Sequence, residues 1–266
     1  RITFHEASWD APGEGRLRTV VRDLAVATPN GWVTLTDPEH RFDEQWVVFT
    51  GEFPGGPAYY YGPLTTHWVA FDSVRKLSPT AVELRAGRPG HYDLVVRWNL
   101  DHERPALDHV LTAGRDDHYL VGYQSFDTTD HDHVDEVLCG ALQHAKVVYE
   151  TPNALSAWEL FTPAALLQRR IADRDVSYGV FIPGDVMAFQ HERQLGPHRQ
   201  PYGMSLRNDD GALTPVGYAP HVGELTPLKA GQRRGFSFGV IARPGSLYQA
   251  YDHLLRTEYD YRAYRQ

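Results

Sequence analysis

Residues 92–100 read Y-D-L-V-V-R-W-N-L, and that order leaves the backbone little choice. Tyr92, Leu94, Val96, Trp98 and Leu100 fall on one side of an extended chain, and Asp93, Val95, Arg97 and Asn99 on the other. A period of two belongs to a strand, so the stretch predicts a half-buried antiparallel strand with one solvated face. Similar runs recur about every ten residues, separated by turn residues. They cover 45–50, 67–72, 81–86, 106–112, 118–126, 146–150, 177–182, 185–192, 204–207, 213–219 and 235–242. An imperfect alternation over 17–26 continues past the Pro29-Asn30-Gly31 turn into 32–35. The expected fold is therefore mainly β, a large antiparallel two-sheet supersandwich with a C-terminal helix.

Helix signals are few. Residues 163–171 open with Pro163 and hold Ala164, Ala165, Leu166, Leu167, Gln168 and Arg169, good helix formers, so a short helix or helical turn is expected there. Pro244-Gly245-Ser246 opens a second helix, expected to run to about Tyr264. Its stripe of Leu247, Tyr251, Leu254, Leu255 and Tyr259 recurs at helical spacing and predicts docking, on the domain's own sheet or on a following domain. The expected division is a β-supersandwich over 1–244 and a connector helix over 245–266. Because residue 1 is Arg1 and the aromatic helix runs to the last residue, the sequence reads as a piece excised from a longer protein.

A length of 266 residues is ample for one large core. The net charge of −8 lacks the basic face that nucleic acid requires. No apolar run is long enough to cross a bilayer. Cys139 is the single cysteine, which excludes an internal disulfide and a cysteine-based metal knuckle. Gly-x-Gly-x-x-Gly, phosphate-loop, Gly-x-Ser-x-Gly and His-Glu-x-x-His patterns are all missing. No nucleophilic serine, nucleotide cofactor or helical zinc site is expected, and no cofactor of any kind.

Three stretches carry candidate chemistry. In 127–136, five carboxylates and two histidines, His131 and His133, lie within ten residues. Calcium through oxygens or zinc through the two imidazoles would suit such a run, but the spacing is not that of a calcium loop, and a solvated acidic loop reads the same way. In 51–63, four glycines and three prolines surround Tyr59-Tyr60-Tyr61. Three successive rings cannot share one face of an extended chain, so at least one is expected at a surface or interface. The third stretch spans 186–209. It gathers His191, Glu192, Arg199, Gln200, Tyr202, Arg207 and Asn208 around a turn marked by Gly196, Pro197, Pro201 and Gly203. Planar guanidinium and amide groups match vicinal hydroxyls, and rings cover the apolar face of a sugar. Those seven residues form the expected carbohydrate-binding surface. A polar hairpin that satisfies its own backbone is the alternative.

Three segments together resemble a known family: Gly122-Tyr123-Gln124-Ser125-Phe126, Gln200-Pro201-Tyr202-Gly203-Met204-Ser205-Leu206-Arg207-Asn208 and Ser246-Leu247-Tyr248-Gln249-Ala250-Tyr251. They look like the N-terminal β-supersandwich, of galactose-mutarotase type, of bacterial glycoside hydrolase-like proteins in which an (α/α)-toroid domain follows. The resemblance implies a module that is not catalytic alone, braces a C-terminal helical domain of the same chain and contributes a loop to glycan binding. No position matches the mutarotase catalytic histidine and glutamate, so no catalytic residue is carried over. The alternatives are a self-contained sugar epimerase or polysaccharide lyase with its own acid/base pair, and a purely structural interaction domain.

Overall fold

The fold comes from a computed structural model that describes residues 1–4, 21–35, 44–51, 65–100, 105–125, 129–130, 134–139, 153–156, 164–184, 203–209, 212–219 and 226–259. Nearly all of these residues lie in strands, and every strand pairing among them is antiparallel. The N-terminal strands are β1 (Ile2–Phe4), β2 (Val21–Thr28), β3 (Gly31–Thr34), β4 (Gln45–Gly51), β5 (Thr65–Trp68), β6 (Ser73–Ser78) and β7 (Ala81–Arg88). The middle of the chain supplies β8 (Tyr92–Asn99), β9 (Ala106–Ala113), β10 (Asp117–Gln124), β11 (Thr129–Asp130), β12 (Glu136–Cys139) and β13 (Asn153–Ser156). Then come β14 (Ala164–Ile171), β15 (Arg174–Phe181), β16 (Gly203–Asp209), β17 (Ala212–Ala219), β18 (Thr226–Leu228) and β19 (Arg233–Pro244), and helix α1 (Leu247–Thr257) follows.

Two eight-stranded sheets make the body. The first runs β12-β14-β15-β19-β9-β8-β7-β6. The second runs β13-β16-β17-β10-β4-β5, with β11 beside β17 and β18 beside β10. A small sheet, β1-β2-β3, adds Leu24, Val26 and Val33 to the same core. The alternation in β8 is realised without a break: Tyr92, Leu94, Val96 and Trp98 are buried while the residues between them are not. From the second sheet, Trp46, Val48, Val121 and Tyr123 meet them. The ring of Tyr123 lies 4.9 Å from that of Trp46 and 6.2 Å from that of Phe238 on β19, so aromatic contacts bridge the layers. Removing one such side chain from water contributes roughly 2–3 kcal/mol, which makes these rings the main cement between the sheets.

The outer face of the first sheet is treated differently at its two ends. Across β6, β7, β8, β9 and β19 it carries a polar row in strict register, Arg75, Glu83, Arg97, Asp108 and Ser237. Glu83 is fully buried beneath Arg75, Arg85 and Arg97, at 3.0, 2.8 and 2.9 Å. Ser237 donates to Asp108 at 2.6 Å. At the other end α1 covers the sheet, and Leu247, Ala250 and Leu254 pack on Leu138, Ala164, Leu166, Phe181 and Ile241. The phenyl ring of Phe181 occupies the space that a side chain on its cross-strand partner Gly239 would need, so glycine there makes room for the ring under the helix. Ser246 caps α1 in a reciprocal pair with Gln249. Gln168 of β14 accepts a hydrogen bond from Leu247 N at 2.7 Å and fixes where the helix starts.

This arrangement corrects one expectation. Residues 164–171 are strand β14, not a helix. Both faces of β14 are covered, one by the core and one by α1, so Ala164 to Arg169 are all buried and no alternation survives for a reader to see. Continuous burial removes the period-two signal, and helix propensity is too weak a preference to resist pairing on both edges. Strand β6 was also not anticipated, because it is an edge strand whose residues are mostly exposed and polar. The terminal helix docks on its own sheet, as one of the two expectations had it. Its buried stripe is Leu247, Ala250 and Leu254, with Tyr251 and Tyr259 packed at the margin. The expected strands over 146–150 and 185–192 and the triple-tyrosine loop lie outside the described residues.

Candidate functional site

Of the seven residues expected to bind sugar, His191, Glu192, Arg199, Gln200 and Tyr202 lie outside the described residues. Arg207 and Asn208 lie in β16, paired with Thr214 and Leu213 of β17. Strand register shows where the chain re-enters the body after that stretch. Gly203 stands in one row with Tyr218, Gly122, Val47 and Trp68 across five strands. The start of β16, the end of β17, the start of β10, the end of β4 and the start of β5 therefore share one end of the second sheet. In the acidic run, Thr129 and Asp130 form β11 and Glu136 opens β12, while His131, Asp132 and His133 are outside the described residues. Among the described residues no three potential metal ligands come together.

The same end of the sandwich holds an open cleft of about 700 Å³ with both apolar walls, at Pro227 and Leu228, and polar ones. Its walls include Gly51, Arg115, Asp116, His118, Lys229 and Gln232. Strand β18 forms one side by pairing with the start of β10, Leu228 opposite Asp117. Its carboxylates are already engaged. Arg115 donates twice to Asp117 Oδ2, at 2.6 and 2.9 Å, and Asp116 Oδ1 accepts from Ala230 N at 2.8 Å.

Beside this cleft stands a cluster of imidazole and guanidinium groups. Pairing of Tyr92 with Ala113 lays the 88–91 and 114–117 turns side by side. Gly114 N donates to His91 O at 2.9 Å, and the Tyr119 hydroxyl lies 2.8 Å from His91 O and 2.9 Å from Arg115 O, holding both turns. His67 comes in from β5, 2% exposed, its ring 5.2 Å from that of His91. Arg88 Nη1 lies 2.7 Å from His67 Nδ1. A guanidinium only donates, so Nδ1 accepts, and the ring proton sits on Nε2, which donates to Thr50 Oγ1 at 3.1 Å. Burial is the first cause that lowers the His67 pKa; Arg88, His91 and Arg115 add to it, and Asp117 opposes. His91 is lowered by burial, then by Arg115 and Arg88. Both rings are thus kept neutral beside two cations, and His91 Nδ1 is out of solvent with no hydrogen-bond partner.

Hydroxyl groups suit the cleft, which offers guanidinium, ammonium, imidazole and amide donors and has its carboxylates already tied down. None of its residues was singled out as a sugar contact in the sequence. The available signal was a pair of polar, glycine-containing turns, Arg88-Pro89-Gly90-His91 and Gly114-Arg115-Asp116-Asp117, flanking strands that pair.

The class is that of a mainly β protein built as an antiparallel two-sheet sandwich with one helix, among the described residues, packed on an outer face. No family model matches the chain, and no curated protein matches it. Among solved structures it is similar to the GH36 α-galactosidase AgaA from Geobacillus stearothermophilus, at 13% identity over 93% of this chain and 34% of that one, with a TM-score of 0.44. A galactose mutarotase-like protein from Lactobacillus casei matches 84% of this chain over its own full length, at 10% identity and TM-score 0.40. A galactose mutarotase related enzyme from Lactobacillus acidophilus matches 85% of this chain over 98% of its own, at 9% identity and TM-score 0.39. The chain spans about a third of the α-galactosidase that it matches.

Proposed function

We propose that this chain is a non-catalytic β-sandwich module of a carbohydrate-active enzyme of glycoside hydrolase type. It braces a helical catalytic domain of the same protein and contributes to glycan binding at the loop-bearing end of its second sheet. The observation that carries this reading is the cleft of about 700 Å³, whose walls set hydrogen-bond donors for hydroxyl groups beside the apolar surface of Pro227 and Leu228, while Asp116 and Asp117 are held by a backbone amide and by Arg115. The stretch with His191, Glu192, Arg199, Gln200 and Tyr202 leads into Gly203 at the same sheet end, so both candidate surfaces belong to one region in this reading. Helix α1, docked on the opposite sheet, is the element that leads toward the partner domain.

The test is a glycan array with this chain, paired with a sugar-turnover assay. Retention of defined glycans without turnover is the expected result. Turnover by the chain alone that disappears in Glu192→Gln would replace this reading with a self-contained epimerase or lyase. Absence of any glycan binding would leave an interaction domain.

A further inference from the structure

We propose that the Arg88–His91–Arg115 wall beside the cleft receives an anionic substituent of a glycan, a carboxylate or a sulfate ester. This deepens the reading above and rests on it.

Local charge carries the argument. The protein as a whole is acidic, with a net charge of −8. Around the cleft, among the described residues, cations and carboxylates are matched less closely than they are paired elsewhere on the sheet. Arg115 is neutralised by Asp117. Among the described residues, Arg88 makes its hydrogen bond to the neutral ring of His67 and has no carboxylate at ion-pair distance. Lys229 also lines the cleft without an ion-pair partner among the described residues. Against these two cations stands Asp116, whose carboxylate accepts from a backbone amide. Among the described residues, Arg88 and Lys229 are therefore cations without an acidic partner, and such groups attract anions of the ligand.

Burial first, and Arg88 and Arg115 after it, lower the pKa of both imidazoles, with Asp117 opposing. The rigid support is also present. The Tyr119 hydroxyl and the Gly114 amide tie the backbones of the two turns, while His67 holds the guanidinium of Arg88 and Asp117 that of Arg115. An oxyanion placed between them would accept charge-assisted hydrogen bonds, and it would give His91 Nδ1 the partner it lacks. Neutral sugars would use the donors of the cleft, Arg115 among them, but leave Arg88 and His91 unused.

The experiment measures calorimetric binding of the 266-residue chain to a galacturonate oligomer, its methyl ester, and a neutral galactose oligomer of equal length. The acidic oligomer is expected to bind about tenfold more tightly than its ester, and that advantage should shrink with added salt. Arg88→Gln keeps a donor for His67 Nδ1 but removes the charge. It should abolish the preference while leaving affinity for the neutral oligomer and the melting temperature near the parent values; Arg88→Lys should restore part of the preference. Preference for a sulfated oligomer over galacturonate keeps the anion subsite and assigns it to sulfate. Equal binding of acid, ester and neutral oligomer overturns this proposal and spares the glycan-binding reading. Failure of all the oligomers to bind overturns both.

Discussion

Trp46 Nε1 donates to His109 Nε2 at 3.0 Å across the gap between the two sheets. An indole can only donate, so Nε2 is unprotonated and Nδ1 carries the proton, which it gives to Leu107 O at 3.1 Å. The imidazole is stacked on Phe236, ring centres 4.6 Å apart and 9° from parallel. This polar contact thus ties β4 to β9 across a largely apolar core.

Replacing Trp46 with Phe keeps a ring but removes the donor. His109 Nε2 would remain buried without a partner, at a cost of about 1–3 kcal/mol. Urea unfolding should show that loss as a lower midpoint with an unchanged slope. Adding His109→Phe should return part of it, because the unpaired acceptor is then gone; a double-mutant cycle measures the coupling.

The same imidazole makes stability depend on pH. Burial lowers the His109 pKa from 6.5 to about 3, with the hydrogen bonds to backbone groups opposing. In the unfolded chain the ring binds a proton below 6.5, while in the fold it stays neutral down to about 3. The contribution is therefore complete above 6.5 and is lost progressively as pH falls toward 3. Unfolding measured in half-unit pH steps should give a shallower decline in His109→Gln than in the parent across that window.

Glu83 predicts a lower window. Burial alone would raise its pKa, but hydrogen bonds from Arg85 and Arg97, with the charges of Arg85 and Arg75, bring it to about 2. Its stabilising effect is complete above 4.5 and fades as pH falls toward 2. At neutral pH Glu83→Gln should cost about 2 kcal/mol, since the arginines are more than half exposed and solvent screens what each contributes. Parent and variant stabilities should converge in acid.

Leu254 is buried between α1 and the outer face of the first sheet. Leu254→Ala should cost about 2–3 kcal/mol by opening a cavity there. Ser246→Ala should cost about 1 kcal/mol through the lost cap. Both are read by thermal melting.

The alternation of 92–100, the turn at Pro29-Asn30 and the opening of α1 after Gly245-Ser246 were written in the chain itself. Each depends on neighbours along the backbone, so period and propensity suffice to read it. Strand β14 was hidden because tertiary contacts bury both of its faces. The imidazole–guanidinium wall was hidden for another reason. His67, the Arg88–His91 turn and Arg115 lie on three separate segments, each carrying unremarkable polar residues beside a strand. Antiparallel register orders β4, β5 and β10 in one sheet and β7, β8 and β9 in the other, and the stacking of the two sheets then sets His67 against Arg88 and His91, a long-range contact that no local pattern encodes. Local order determined that this chain would be a stack of antiparallel strands. Long-range pairing and two-sided burial decided which of its polar groups would meet.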